Sequence, residues 1–391
     1  MKKSCIKIYS LSIVVLLCCF SMTPSSNAQN VNRAVQNDNA MSQNRRKVSI
    51  PDIPDYITLK GDFHIHTSFS DGYVWPDFRV TEAWTEGLDV IAITDHIESR
   101  PHRMDTGDDQ NAGYNRAKSR AAALNILLIP GAEISPSTIP PGHLNALFVN
   151  DVNKLTDGDP MVQIEEAVKQ GAFIIWNHPG WGWARPLPDT TKWWDFQTAI
   201  LEKGWLHGIE VYNTEEWYQI ALKWCMEKNL TVFANSDIHA PINYWYNLSL
   251  PYSHRPMTLV FAREKSLNGV KEALFDKRTL GYFDHILAGR EDLIKELFHA
   301  SVTLHPPFRQ PGETGNRTFT AELENHSDLT FILRKEGKAK RNDRSDIVKL
   351  LPESIVIINY RENEEVLEYS LTNCYSDINK HPVITMQVLR K

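Results

Sequence analysis

Between about Tyr56 and Ala262 the chain alternates short apolar runs with longer stretches of helical period, which limits the fold more than any other feature. Repeated strand and helix units build mostly parallel sheets covered by helices. The runs predict strands over residues 57–66, 89–96, 126–134, 143–149, 172–178, 208–213, 230–239 and 257–262. Helices are expected over 76–86, 111–125, 160–170, 193–203, 215–228 and 267–276, several opened by the Asp, Asn or Pro that a helix start favours. Seven or eight such units suit a closed or distorted barrel. An open doubly wound sheet is the alternative, but no Gly-rich dinucleotide fingerprint follows the first strand.

The chemistry-bearing residues track the strand ends. In Asp62-Phe63-His64-Ile65-His66-Thr67 two imidazoles lie two apart and so share one face of the strand, where they can chelate one divalent ion. Asp71 follows in Ser70-Asp71-Gly72, and His96, Glu133 and His178 end later strands. Asp237 and His239 end the run of residues 230–239, while His143 opens its strand and fits the pattern least well. In a barrel of parallel strands the C-terminal ends converge on one mouth, where such folds keep their chemistry. Six His, two Asp and one Glu exceed the needs of one ion. Shared through bridging carboxylates they suit two or three, and mixed nitrogen and oxygen donors suit Zn, Mn or Fe. Closely spaced ions clamp the attacking and leaving oxygens of a displacement at phosphorus, so phosphoester hydrolysis is the leading expectation.

The series His64-x-His66, Ser70-Asp71-Gly72, Thr94-Asp95-His96, Gly131-x-Glu133, His143, Asn177-His178-Pro179 and Ser236-Asp237-x-His239 resembles the polymerase and histidinol phosphatase (PHP) superfamily of metal-dependent phosphoesterases. The motifs occur in order across about 180 residues, with all nine positions filled. The resemblance implies a distorted (β/α)7 TIM-like barrel with a trinuclear site. By position, the first metal takes His64, His66, Glu133 and Asp237; the second Glu133, His143 and His178; the third Asp71, His96, Asp237 and His239. A metal-activated hydroxide then attacks phosphorus with no protein nucleophile. Phosphodiesters are favoured by likeness to secreted Sb-PDE-type phosphodiesterases, and the missing polymerase region excludes the DNA-polymerase branch. Three alternatives stand beside this reading: a phosphomonoesterase of the same superfamily, an amidohydrolase-type metal hydrolase, and a non-catalytic surface binding protein.

Several further residues are candidates. Asp95 is placed to support a ligand imidazole from behind, and Arg103, Arg185 and Arg255 are candidate phosphate contacts. Trp181, Trp183, Trp193, Trp194, Trp217, Tyr244, Trp245 and Tyr246 offer surfaces for an organic leaving group, although packing explains most of them. His207, His285, His299, His305, His326 and His381 have no partners at strand ends and read as structural or surface residues.

The N-terminus carries an address. Lys2, Lys3 and Lys7 precede an apolar run ending at Phe20, and Ser26-Asn27-Ala28 supplies small residues for cleavage, so residues 1–28 read as a signal peptide of an exported, periplasmic or secreted protein. The run is shorter than the roughly 20 residues of a membrane span, and acylation of Cys18 or Cys19 is the lesser alternative. Residues 29–50 read as a flexible linker, 51–300 as the barrel, and 301–391 as a small sandwich-like all-β domain without metal ligands of its own. A net charge of −6 gives no basic excess for nucleic acid or membrane, so a small phosphoester is the expected partner. Cys225 and Cys374, the two cysteines beyond the leader, are expected to be buried and unpaired.

Overall fold

The computed structural model describes residues 45–155, 158–181, 191–250, 252–308, 318–337, 347–361 and 364–388. The expected leader, and the linker before Arg45, lie outside them. The last linker residues are packed rather than free: Arg46 N donates to Thr85 O, Ser49 N donates to the Asp328 carboxylate, and Ile50 is buried.

The strands are β1 (Ile57–Asp62), β2 (Val90–Ile93), β3 (Leu127–Ile134), β4 (Leu144–Leu147), β5 (Phe173–Trp176), β6 (Gly208–Asn213), β7 (Glu216–Trp217), β8 (Thr231–Asn235), β9 (Met257–Ala262), β10 (Thr279–Phe283) and β11 (Ile286–Gly289). Then come β12 (Val302–Leu304), β13 (Thr318–Asn325), β14 (Phe331–Lys335), β15 (Ile347–Leu350), β16 (Ile355–Arg361), β17 (Val366–Leu371), β18 (Cys374–Tyr375) and β19 (Val383–Gln387). A 12-stranded sheet runs β18-β11-β10-β9-β1-β2-β3-β4-β5-β6-β7, with β8 also paired to β6. It curls until β8 meets β1 beyond their ends, where Ile65 bridges Ile238 and His66 N donates to Ile238 O at 3.1 Å. Side chains alternate across the curl. Val90, Ala92, Phe173 and Ile175 fill its inside, while Ile91, Ile93, Ile174 and Trp176 pack outward, so these strands are apolar on both faces.

The α/β architecture followed by small β sheets is as expected, but the large sheet is mixed rather than uniformly parallel. β4 runs antiparallel to both β3 and β5, and β9 antiparallel to β1. The reversal accounts for His143: the start of an antiparallel strand lies beside the ends of its neighbours. Helices over Pro76–Thr85, Ala112–Leu124, Pro160–Lys169, Asp195–Glu202 and Leu267–Phe275 lie where their spacing predicts. Local caps fix some of them, with Asp159 accepting from Met161 N and Ser266 from Gly269 N. The helix expected from residue 215 begins instead at Gln219, because Thr214 turns to φ 56° and Trp217 pairs back on Tyr212 as β7.

From β12 onward a three-stranded sheet, β12-β13-β16, and a four-stranded sheet, β15-β14-β17-β19, form the all-β part. It is not a separate bead. Leu287, Leu293 and Phe298 share one continuous core with Phe331, Leu367 and Ile384, and β18 adds to the edge of the large sheet by pairing with β11. Cys225 and Cys374 are free and buried.

One structural histidine gives a pH test. His207 Nδ1 accepts the Ile174 N–H at 2.9 Å, and burial, helped by the Lys277 charge, pushes its pKa down to about 4. Between its free value near 6.5 and about 4 the unfolded chain binds a proton that the folded chain refuses. This contribution to stability is therefore complete above pH 6.5 and lost as pH falls toward 4, by about 1.4 kcal/mol per pH unit. In urea titrations at stepped pH, His207→Gln is expected to flatten that part of the wild-type slope.

Candidate metal centre

All nine ligand-type residues arrive at one mouth, eight delivered by a strand end or the loop after it and His143 by the start of antiparallel β4. His64 and His66 follow β1 with side chains fully buried. Two of the nine sit in left-handed backbone, His178 at φ 24° and Asp237 at φ 51°, conformations that histidine and aspartate tolerate better than branched residues. Asp71 is swung in by a tight loop in which Gly72 is required, since a Cβ there would lie 2.8 Å from the His66 carbonyl carbon and the Thr67 nitrogen.

The spacing of the donor atoms is that of a cation cluster. His64 Nε2 lies 3.0 Å from His66 Nε2, 3.2 Å from Asp237 Oδ1 and 3.3 Å from Glu133 Oε1. Glu133 Oε1 is also 3.3 Å from His143 Nδ1 and 3.5 Å from His178 Nε2. His239 Nε2 and His96 Nε2 approach the two oxygens of Asp71 at 3.2 and 3.6 Å. Donors held about 2.1 Å from one ion in tetrahedral geometry lie about 3.4 Å apart, which is the spacing seen. Four overlapping groups can each hold an ion: His66, Asp71, His96 and His239; His64, His66 and Asp237; His64, Glu133 and His178; His96, Glu133 and His143. They share members as the resemblance implies: His66 stands with His64 and Asp237 and also with Asp71, His96 and His239, and His96 stands with Asp71 and His239 and also with Glu133 and His143. The oxygens Asp71 Oδ1, Glu133 Oε2 and Asp237 Oδ1 are buried without an aligned hydrogen-bond donor, although each has an imidazole nitrogen 2.6–3.2 Å away. A buried acceptor left so is costly unless a cation completes it, so the residues fit divalent ions.

The electrostatics agree. Burial opposes ionisation of Glu133, yet His96, His143 and His64 hold it well below the usual carboxylate range; Asp237 is depressed likewise and Asp71 falls to about 2. Burial also opposes charge on His96, but Glu133 and Asp71 carry its pKa to about 9. His66 goes the other way, to about 3, through burial and the neighbouring His239 and His96 charges. Burial likewise opposes charge on His64, His178 and His239, but the neighbouring carboxylates, Asp237 and Glu133 for the first two and Asp71 and Asp237 for the third, raise all three above the usual imidazole range.

Beyond the ligand set opens a cavity of about 730 Å³, lined by Glu98, Ser99, Ser135, Ser137, Thr138, Pro160 and Trp181. Trp181 rests on His143 and His178 with ring centres 5.2 and 5.3 Å away. Of the eight aromatic candidates it alone, among the described residues, lines this cavity. Trp193 packs on Trp176 and Trp224, Trp217 on Phe283, and Tyr246 donates to Thr214 O. Trp183 and Arg185 lie outside the described residues. The other two arginines are placed elsewhere: Arg103 is an exposed partner of Asp108, and Arg255 is buried against Asp62 and Glu86. Asp95 does not bond the His96 ring. It accepts from Thr67 N and Oγ1, both at 2.7 Å, and from Ser70 Oγ at 2.8 Å, so it shapes the loop between His66 and Asp71.

Sequence reasoning missed Glu210 and Arg79, both buried beneath the ligands. Arg79 donates to the carbonyls of His66, Ile238, His239 and Ala240 at 2.6–3.1 Å, tying the loop after β1 to the loop after β8. Glu210 touches His64 directly, its Oε1 lying 2.9 Å from Nδ1. The available signal was a lone charge inside an apolar run, Gly-Ile-Glu-Val-Tyr-Asn over residues 208–213.

Comparison with known proteins agrees with this architecture. A family model described as an Ig-like domain matches residues 308–387. A two-domain protein of Bacteroides vulgatus, described as containing a predicted PHP-like metal-dependent phosphoesterase, is 39% identical, with a TM-score of 0.81 over 89% of this chain and 100% of that one. A 5'-3' exoribonuclease of Haemophilus influenzae is 35% identical over 79 residues, a match spanning 20% of this chain and only 24% of that protein. An amidohydrolase of Chromobacterium violaceum, 16% identical over 47% of this chain and 88% of that one, superposes with a TM-score of 0.35, too slight to bear on function. With nine ligand-type side chains at one mouth and a relative matched along its whole length, the chain belongs to the PHP-like metal-dependent phosphoesterases.

Proposed function

We propose that this protein is an exported phosphodiesterase whose nine ligand residues hold two or three divalent ions, Zn, Mn or Fe, at a shared centre. The observation that carries the reading is the cluster of orphaned carboxylate oxygens and imidazoles opening straight into the roughly 730 Å³ cavity. When bound, the ions supply Lewis-acid stabilisation of the phosphoryl oxygens and an activated water. The chain's own residues do the rest. Six imidazoles and only three carboxylates keep the ligand set from cancelling the charge of the ions, so the centre stays attractive to an anionic ester although the whole chain carries −6. The cavity beyond the ligands gives the two organic arms of a diester more room than a monoester needs, and the Trp181 indole and the Ser99, Ser135, Ser137 and Thr138 hydroxyls offer contacts to them. Export is supported by the basic and apolar leader pattern before Ala28.

The test is hydrolysis of bis-p-nitrophenyl phosphate and p-nitrophenyl phosphate by protein reconstituted with Zn, Mn or Fe. The diester is expected to be cleaved faster, by roughly tenfold or more in kcat/KM, a difference of only about 1.4 kcal/mol. Equal or greater monoester activity removes the diester assignment, and hydrolysis of amides with no action on either phosphoester removes the chemistry altogether.

A further inference from the structure

Glu210 lies on β6, wholly buried, with four donors on its two oxygens. Oε1 faces His64 Nδ1 and Asn235 Nδ2, each at 2.9 Å; Oε2 faces His178 N and Asn213 Nδ2, each at 2.8 Å. Two of the last three donors cannot reverse: His178 offers a backbone N–H, and the Asn235 amide is held by Phe63 N donating to its Oδ1. The Asn213 amide is oriented by the carboxylate itself, with Thr214 Oγ1 facing its Oδ1.

We propose that Glu210 is the positioning residue that fixes His64 as a metal ligand, holding the ring proton on Nδ1 so that Nε2 presents a bare lone pair to a divalent cation. This rests on the metal-dependent reading above. A neutral imidazole carries one N–H, and a carboxylate can only accept, so the proton belongs on the nitrogen facing Glu210. The opposite nitrogen then faces His66 Nε2, Asp237 Oδ1 and Glu133 Oε1 at 3.0–3.3 Å, a position that a cation completes. The other oxygen grips the backbone of His178 where it turns left-handed, so one side chain sets two ligands. Outer carboxylates of this kind fix the ring of a ligating histidine, and their loss costs about 10–100-fold in metal affinity.

Glu210→Gln separates this role from packing, because it keeps shape and replaces one acceptor by a donor. An amide NH₂ in the Oε2 position would oppose the His178 N–H. Turned the other way it points at His64 Nδ1, which must then accept, and the ring proton moves to Nε2, where it blocks the ion.

The test uses metal alone. Zinc affinities of the metal-free full chain and of Glu210→Gln are measured by chelator competition, and both proteins are loaded with Co(II) for visible spectra. The variant is expected to lose 10–100-fold in affinity for one ion and to change the cobalt spectrum, with the remaining ions retained. A wild-type protein that takes up no stoichiometric zinc removes the metal-dependent reading itself. Wild-type uptake matched by the variant in affinity and spectrum overturns the role of Glu210 alone. If the variant does not fold, long-range ¹⁵N spectra of the histidines in the zinc-loaded wild type decide: a proton on His64 Nδ1 supports the inference, and a bare Nδ1 overturns it.

Discussion

Glu133→Gln is expected to abolish phosphoesterase turnover, by at least about 10³-fold, the upper end of what loss of one electrostatic stabiliser costs. The substitution is nearly isosteric, and Asn177 Nδ2, which donates to Glu133 Oε1 at 2.7 Å, keeps an acceptor there. What disappears is the charge that five imidazoles face, those of His64, His66, His96, His143 and His178. Glu133 belongs to two of the four donor groups, so metal content should fall along with turnover. A second readout comes from protons. Because Glu133 does most to carry the metal-free His96 to about 9, zinc uptake by the wild type at pH 7 must displace that proton and strengthen as pH rises toward 9. Titration calorimetry in two buffers of different ionisation heat should find fewer protons released per zinc by the variant. Turnover within tenfold of wild type would remove Glu133 from the centre.

Arg255→Met is expected to be the most damaging substitution away from the ligands. Its Nη2 lies 2.7 Å from Asp62 Oδ2 and donates to Ser236 Oγ at 2.9 Å, and Nη1 lies 3.5 Å from Glu86 Oε2, all of them buried. Burial already lifts Glu86 to about 7 even beside the guanidinium, leaving Asp62 as the carboxylate most dependent on it. Removing one partner of a buried pair costs about 3–5 kcal/mol because the other charge is stranded. Against a total of about 5–15 kcal/mol for a typical protein, that is a large share. Urea unfolding should show the loss, and adding Asp62→Asn to Arg255→Met should recover a good part of it. If the double variant is no more stable than the single, the arginine matters through packing and not charge. Asp62 and Ser236 each lie within two residues of a ligand, so the same knot holds the bases of the His64 and Asp237 segments together.

Much of the centre was legible because metal donors recur at strand ends, a pattern set by sequence order and side-chain period alone. What stayed hidden needed direction or depth. β4 is four buried residues, and nothing in Leu-Asn-Ala-Leu says which way it runs, so His143 looked misplaced until its neighbours were known. The β10–β11 hairpin turns through Asp284 and His285, both at positive φ, where a glycine would have marked the turn. Arg255 and Arg103 read alike in sequence; what separates them is burial against carboxylates that lie 169 and 193 residues away in the chain for one, and a solvent-facing neighbour for the other. Glu210 is a single charge in an apolar strand, and its meaning depends on four donors from three other segments and its own strand.

The pairing of β18 with β11 sets an order of events during synthesis. Leu287 and Ala288 take as strand partners Cys374 and Tyr375, which leave the ribosome almost ninety residues later. The β11 edge of the large sheet therefore stays open until residues 374 and 375 have been made and have folded back onto it.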